Sequence, residues 1–180
     1  MEYADDDSVR HGYSFLDARY HVCSCDRMRV VFLTDFMIQP TAIQDNAERI
    51  ALAIEAARSV RKHAYAPYSN FLVGACLVTN NGTMHVGCNV ENASYGLTQC
   101  AERAAVTAAT AAGMRDIVLC VIVTATKQPT APCGACRQVL HECNPSMLVI
   151  SCTEAGVEQR WWLHDLLPSS FDSSSIEEMQ

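Results

Sequence analysis

Four residues in two short motifs have the types and the spacing needed for metal-assisted chemistry. Cys100 and Glu102 stand two positions apart, and Cys133 and Cys136 stand three positions apart directly behind Pro132. Three thiolates can hold one Zn²⁺ and leave its fourth position to water, which is the coordination expected of a catalytic zinc. A carboxylate beside such a cluster can carry protons to and from that water. The two motifs therefore predict a zinc site in which Glu102 is the acid–base group.

Two other interpretations of the cysteines remain open. A single Cys-x-x-Cys pair often belongs to a structural zinc or to a redox site. A fourth ligand could close the site, and the candidates are Cys120, Cys143 or a histidine. Because a closed structural site has no need of a neighbouring carboxylate, Glu102 favours the catalytic interpretation.

Both motifs fall where helices are predicted to begin. Cys100 opens an alanine-rich helix over residues 100–112, and Cys133 opens a second helix over residues 133–143. Free N–H groups and the positive end of the helix dipole lower the pKa of a thiol at such a position. Cys133 and Cys136 share one helical face, so the three sulfurs converge if the two helices lie side by side. The alanines of the first helix also predict close approach of another backbone, which we assign to a partner subunit.

The remaining periodicities predict one α/β domain. Ile and Ala at three-to-four spacing predict an amphipathic helix from Gln44 to about Lys62. A hairpin turn at 80–82 is predicted to join the first two of five strands, which are the apolar runs 71–79, 84–90, 117–124, 147–151 and 157–162. Strand–helix–strand order requires parallel pairing with right-handed crossovers. We therefore predict a three-layer α/β/α fold with a central mixed sheet.

Changes in composition divide the chain into three parts. Residues 1–40 are an N-terminal extension without a sustained period, either packed or disordered; residues 41–172 are the catalytic domain, and residues 173–180 are a polar tail. Cys23-Ser24-Cys25 lies in the extension without a second pair at zinc spacing, so we interpret it as two ordinary thiols.

Composition and charge argue against several classes of partner. No run approaches the ~18 uninterrupted apolar residues of a membrane helix, so we expect no membrane partner. The net charge of -7 argues against nucleic acid, because binding its backbone usually needs a basic face. Some of the ten cysteines lie in apolar runs and others at ligand spacing, and no secretory signal is evident. That usage predicts a reducing compartment, the cytoplasm.

Four motifs, in order along the chain, resemble the homotetrameric, three-cysteine type of cytidine deaminase. They are FLVGA at 71–75, NVENASYG at 89–96, CAERA at 100–104 and PCGACRQ at 132–138. The resemblance runs from about Thr41 to Phe171. It implies a cytidine deaminase-like fold, one Zn²⁺ per subunit on Cys100, Cys133 and Cys136, and a homotetramer with shared active sites. It also implies hydrolytic deamination of cytidine and deoxycytidine to uridine and deoxyuridine in pyrimidine salvage.

The resemblance implies individual roles for the residues around the metal. Glu102 takes a proton from the zinc-bound water and delivers it to the pyrimidine ring nitrogen and then to the leaving amine. The residues implied for substrate binding are Ala101 through its backbone, Phe71 by stacking, Asn89 and Glu91 at the ribose hydroxyls, and Ala93, Tyr95 and Phe171 in a neighbouring subunit's pocket. Behind the ligands, Arg103 would bond to the thiolates and Gln138 would support the cysteine helix.

Two rival functions remain beside deamination of a free nucleoside. The first is a deaminase that acts on a modified nucleoside antibiotic, a nucleotide, or a base within RNA or DNA. A nucleotide would need a cationic phosphate pocket, which the loop 65–71 does not offer, and Glu91 would repel a nearby phosphate. The second rival is a zinc-stabilised scaffold without activity, and the presence of Glu102 argues against it.

Overall fold

A computed structural model of the chain describes residues 46–177. Helices and strands alternate over most of this range. In chain order the elements are α1 (Ala47–Arg61), β1 (Val73–Thr79), β2 (Met84–Cys88), α2 (Ala101–Ala111), β3 (Ile117–Thr124), α3 (Gly134–Cys143), β4 (Leu148–Thr153), β5 (Glu158–Trp162), α4 (Leu163–Leu166) and α5 (Ser174–Glu177). The predicted elements are present, with ends that differ by a few residues.

The five strands form one mixed sheet in the order β2-β1-β3-β4-β5. β1 runs antiparallel to both β2 and β3, and β5 runs antiparallel to β4. β3 and β4 are parallel, and α3 forms the crossover between them. The predicted α/β fold with a central mixed sheet is therefore confirmed.

Helices cover both faces of the sheet, and each face has its own hydrophobic cluster. On one face α1 packs through Ile54 and Ala57. On the opposite face α2 packs through Ala105 and Ala109, and α3 packs through Leu140. The central strands β1 and β4 are buried along their whole length, whereas the edge strands β2 and β5 are partly exposed. Strands covered on both faces become continuous apolar runs, which is why their sequences show no alternation.

The alanine-rich helix α2 lies directly against the edge strand β2. A Cβ added to Gly87 would lie 2.4 Å from the Ala105 nitrogen and 2.6 Å from the Ala101 oxygen, so β2 needs glycine where the helix crosses it. Ala101 and Ala105 are buried, while Ala108 on the other side is exposed. On its buried side, the close approach that the alanines predicted is thus made by β2 of the same chain, and contact of the exposed side with a partner subunit stays a prediction.

Parts of the predicted domain plan fall outside the described residues. The predicted N-terminal extension 1–40, with Cys23-Ser24-Cys25, lies outside them. The segment predicted as a polar tail carries the short helix α5, Ser174–Glu177. None of the helices within residues 46–177 has the length and apolar character needed to cross a bilayer.

Candidate active site

The starts of α2 and α3 bring together the thiols of the two motifs. Cys100 is the N-cap residue of α2, and Cys133 is the N-cap residue of α3. Neither side chain caps the backbone of its own helix. Cys136 lies one turn into α3 and is buried. The predicted side-by-side placement of the two helix starts is therefore present, and their thiols are free to face one another.

The sulfurs of Cys100, Cys133 and Cys136 lie within 4.8 Å of one another. The Cys100 and Cys133 sulfurs are 3.9 Å apart. Zn–S bonds of about 2.3 Å at tetrahedral angles place two sulfurs about 3.8 Å apart, so the spacing fits zinc. Within residues 46–177 no fourth histidine, cysteine, aspartate or glutamate joins this group, including Cys120 and Cys143. The three thiols fit a zinc ion with one open position.

The protonation of the thiols depends on their contacts with one another and with Arg103. The pKa of Cys100 is lowered to about 5, first by its hydrogen bond with the Cys136 thiol and also by one from Arg103. The same hydrogen bond with Cys100, followed by burial, raises the pKa of Cys136. Arg103 Nη2 lies 3.8 Å from the Cys100 sulfur and 2.8 Å from the Thr98 carbonyl oxygen, to which it also donates. The guanidinium is thus placed to offset the negative charge of the thiolates.

Glu102 is a carboxyl held beside this cluster and away from solvent. It follows Cys100 by two positions in the first turn of α2, and only 5% of it is exposed. Burial raises the pKa of Glu102, and the charge of Cys100 acts in the same direction. A carboxyl with a raised pKa exchanges protons more readily near neutral pH, as a general acid–base group must.

A cavity of about 250 Å³ opens at this cluster. Cys100, Cys133 and Glu102 lie on its wall, together with Ala101 at the first residue of α2. The rest of its wall is formed by Ser69, Phe71, Val73, Asn89, Glu91, Thr98, Ile122, Thr124, Thr130 and Ala131. The cavity therefore connects the thiols and the carboxyl with four of the residues assigned to substrate binding, which are Phe71, Asn89, Glu91 and Ala101.

Asn89 lies in the cavity wall and also holds the start of β1. Its Oδ1 accepts from the Val73 N–H at 2.8 Å, and its Nδ2 donates to the Phe71 carbonyl at 2.8 Å. One N–H and one lone pair of the Asn89 amide remain beyond these two bonds. Asn89 therefore fixes the wall residue Phe71 and keeps hydrogen-bonding capacity toward the cavity.

Glu91 points an ionised carboxylate at the entrance of the cavity. It accepts hydrogen bonds from the Tyr68 N–H at 2.8 Å, the Ser69 N–H at 3.3 Å and the Ser69 hydroxyl. The bond from the Ser69 hydroxyl is the main reason that the pKa of Glu91 is lowered. A carboxylate oriented in this way can accept hydrogen bonds from hydroxyl groups of a ligand.

Ala93, Tyr95 and Phe171 are exposed and lie outside the cavity wall. Tyr95 is 76% exposed and contacts Tyr68 edge-to-face, with ring centroids 6.1 Å apart. Both tyrosines line a second hollow, which shares Glu91 with the first cavity. Phe171 is 62% exposed. Within one chain, none of these three predicted substrate-binding residues forms part of the cavity wall.

Gln138 contacts the C-terminal segment of the chain. Its Nε2 donates to the Phe171 carbonyl at 2.7 Å. On the same helix, Arg137 donates to the Pro132 carbonyl at 2.8 Å and to the Leu166 carbonyl at 2.9 Å. Gln138 thus fastens the segment that carries Phe171 to α3. Arg137, which the sequence analysis did not single out, links the proline before Cys133 to that same segment.

A wall of hydroxyl groups after the end of β3 was not predicted from the sequence. Thr124 and Thr130 line the cavity, and both bond to Thr126 at 2.6 and 3.2 Å. The Thr130 N–H donates to the Ser151 hydroxyl at 3.0 Å. Only their place at the carboxyl ends of parallel strands, where α/β sheets bind ligands, could have suggested these residues.

A comparison with protein-family models agrees with this geometry. Residues 47–152 match the family described as the cytidine and deoxycytidylate deaminase zinc-binding region. The match contains all three thiols and Glu102. The chain belongs to this family of zinc-dependent deaminases.

Curated relatives and solved structures point to one branch of the family. The chain is 43% identical over 128 residues to a cytidine deaminase of Halalkalibacterium halodurans, covering 71% of this chain and 97% of that one. Among solved structures, the cytidine deaminase of Burkholderia pseudomallei is 51% identical, with a TM-score of 0.65 over 67% of this chain and 98% of that one. The cytidine deaminase of Mycobacterium tuberculosis is 38% identical, with a TM-score of 0.60 over 68% and 97%. The predicted family resemblance is confirmed.

Proposed function

We propose that the chain catalyses the hydrolytic deamination of free cytidine and deoxycytidine to uridine and deoxyuridine, as a step of pyrimidine salvage. One observation carries the proposal. A buried carboxyl, Glu102, stands beside three convergent thiols whose open side faces a cavity of about 250 Å³. A closed structural zinc site would need neither that carboxyl nor that cavity. This arrangement favours an enzyme over a zinc-stabilised scaffold.

The chemistry requires a metal site and a proton carrier. Cys100, Cys133 and Cys136 would hold one Zn²⁺ per subunit, with Arg103 and the two helix dipoles offsetting the charge of the thiolates. When bound, the zinc supplies a water of lowered pKa for attack on C4 of the pyrimidine ring. Glu102 would accept a proton from the attacking water and donate it to the ring nitrogen, and it would then carry the proton of the new C4 hydroxyl to the departing amine. The net reaction adds water and releases ammonia.

The cavity wall supplies contacts for the base and the sugar. Ala101 is the first residue of α2, and N–H groups of a first helical turn have no intrahelical partner, so its backbone can donate to the base. Phe71 would stack near the base. The free positions of the Asn89 amide and the carboxylate of Glu91 would bind the ribose hydroxyls.

The charges around the cavity favour a nucleoside over a nucleotide. The family also includes deoxycytidylate deaminases by its description, so a nucleotide is the second candidate substrate. The charged side chains among the described wall residues are Glu91 and Glu102, and none of those residues is a lysine or an arginine. Because a phosphate would meet negative charge without a cation, we expect little activity on CMP.

We further propose a homotetramer with shared active sites, located in the cytoplasm, without a nucleic-acid or membrane partner. Ala93, Tyr95 and Phe171 are exposed and lie outside the cavity wall of their own chain, so they are available to line the cavity of a second copy. The eight cysteines within the described residues are free thiols, in keeping with a reducing compartment.

Release of ammonia from cytidine, deoxycytidine, CMP, adenosine and guanosine, measured in parallel, tests the proposal. We expect release from the first two substrates and little from the other three. Preferred turnover of CMP would favour the nucleotide candidate. If protein that contains one zinc per chain turns over none of the five compounds, the scaffold interpretation is favoured.

A further inference from the structure

Arg61 is a charged residue at a core position of α1. The buried stripe of this helix runs through Ile50, Ile54 and Ala57, and Arg61 continues it one turn later with only 8% of the residue exposed. A guanidinium is costly to bury unless its N–H groups find partners. Arg61 therefore requires a specific polar contact inside the fold.

Two partners meet that requirement, and each is bonded or adjacent in sequence to a different part of the cavity wall. Arg61 Nε donates to the Leu72 carbonyl at 2.9 Å, and Nη1 forms an ion pair with the Glu154 carboxylate. Leu72 leads into β1, and Glu154 directly follows β4. The planar guanidinium can serve both partners at once from fixed directions, which a lysine ammonium does less well.

The position of the Arg61 backbone is itself fixed by contact with β1. A Cβ added to Gly74 would lie 2.0 Å from the Ala57 oxygen and 2.8 Å from the Arg61 Cβ. The end of α1 therefore presses directly on β1, and the Arg61 side chain starts from a position with little freedom to move. A side chain anchored in this way can keep the groups to which it bonds at fixed positions.

The Leu72 carbonyl lies between two residues of the cavity wall, Phe71 and Val73. Asn89, the residue after β2, holds the Phe71 carbonyl and the Val73 N–H, while Arg61 holds the Leu72 carbonyl from α1. The chain enters this segment through Asn70, which has a φ of 56°, in the left-handed region. A segment that begins in an unfavourable backbone conformation depends on such contacts to keep one geometry.

Glu154, the second partner of Arg61, is bonded to the opposite wall of the cavity. The Glu154 backbone N–H donates to the Thr124 carbonyl at 3.1 Å, and Thr124 lines the cavity at the end of β3. Arg61 thus links the segment 71–73 to the Thr124 wall through Glu154.

We propose that Arg61, together with Glu154, is a positioning pair that sets the separation of the Phe71 and Thr124 walls and thereby the affinity for the pyrimidine nucleoside, without touching it. The inference rests on the proposed function. Loss of the link should affect binding of the ligand between the two walls more than the proton transfers, because the thiols and Glu102 are held by α2 and α3. The expected signature is a raised KM with a nearly unchanged kcat.

Steady-state kinetics on cytidine with Arg61→Met, Arg61→Lys and Glu154→Gln tests the pair, with zinc content and Tm measured on the same preparations. We expect Arg61→Met to raise KM about tenfold with kcat within about threefold and zinc retained. Arg61→Lys and Glu154→Gln should each raise KM about threefold. The KM of the double variant Arg61→Met/Glu154→Gln should be no higher than that of Arg61→Met alone, because both changes break the same link.

Arg58→Met is the matched control. Arg58 lies one turn earlier on α1 and pairs with Glu55 on the same helix at 3.1 Å, away from the cavity, so KM should stay within about twofold. An unchanged KM in the Arg61 variants, even with a lower Tm, would make Arg61 purely structural and overturn the inference. If Arg61→Met does not fold, the KM of Glu154→Gln tests the inference instead. The Glu154 side chain is largely exposed, so this change should leave the fold intact. A wild-type protein inactive on cytidine would instead overturn the proposed function and the inference with it.

Discussion

The zinc end of the cavity and its mouth differ in how completely one chain builds them. At the zinc end, Cys100 and Cys133 occupy the N-cap positions of two helices that pack on the sheet, and Glu102 is buried beside them. Tyr95 and Phe171, which the shared-site proposal assigns to the mouth, are exposed in a single chain; Tyr95 begins a one-turn 3-10 helix, and Phe171 lies in the segment before α5. The chemical groups thus lie at the starts of two helices packed on the sheet, with Glu102 and Cys136 buried, whereas the residues implied for the far side of the substrate pocket are exposed.

The difference has a physical reason. Thiols and carboxyls that share protons must hold fixed distances, and helix starts packed on a sheet hold them better than loops do. A mouth formed by exposed aromatic side chains costs solvation unless something covers it, and a second copy of the chain would do so. The comparison therefore predicts that variants at the zinc end lose chemistry, while variants at the mouth lose affinity and assembly.

Removal of a zinc ligand should have the largest effect. We expect Cys133→Ala to lose the metal, all detectable turnover and part of its stability, because metal binding is coupled to folding. Metal analysis and thermal melts with and without a chelator measure these losses. Cys143→Ala removes another free thiol of α3 outside the trio and should keep the zinc. Full zinc occupancy in Cys133→Ala would show that the ligand assignment is wrong.

Removal of the proton carrier should abolish the chemistry and leave the site assembled. Glu102→Gln keeps the shape of the side chain, and we expect kcat to fall by about 10²–10⁴ or more, because one residue handles several proton transfers. Zinc content and Tm should stay near those of the wild type. The exposed Glu142 of α3 offers a control, Glu142→Gln, with normal turnover. Turnover by Glu102→Gln close to the wild-type rate would refute the assigned role.

At the mouth, Phe171→Ala should weaken substrate binding more than it weakens the fold. Loss of one stacked, partly buried aromatic ring costs about 1–3 kcal/mol, which is about fivefold to 150-fold in KM. Ile176→Ala removes another exposed apolar side chain of the C-terminal segment and should leave KM unchanged. Light scattering at the assay concentration reports the assembly. A fully active monomer would contradict the shared-site proposal while leaving the zinc chemistry intact.

Deletion of residues 1–38 should have the smallest effect. These residues precede every motif, and the family match begins only at residue 47. We expect kcat/KM of the shortened protein to stay within about twofold of the full chain. An insoluble or inactive product would mean that the extension belongs to the catalytic fold.

Local patterns were sufficient to predict most of the elements. The apolar, β-branched run 117–124 is observed as β3 with the same bounds, because a strand buried on both faces leaves a continuous signal. The predicted strand 84–90 ends earlier, at Cys88. Beyond that point the Asn89 side chain bonds to the backbone of Phe71 and Val73, and Val90 pairs with Tyr65 and Gln99 outside the regular strands.

The zinc motifs could be recognised in the sequence because their chemistry depends on residue types at short spacing, Cys100 with Glu102 and Cys133 with Cys136. Contacts between residues far apart in the sequence could not be predicted in this way. Arg61 finds its partners 11 and 93 positions away, so no helical pattern could predict that a guanidinium would be buried there or that it would link two walls of the cavity. Likewise, Thr124 and Thr130 became wall residues only when β3 and the segment before α3 packed beside the thiols. Ligand chemistry is encoded in local residue types, whereas burial and the shape of a pocket depend on which elements pack together.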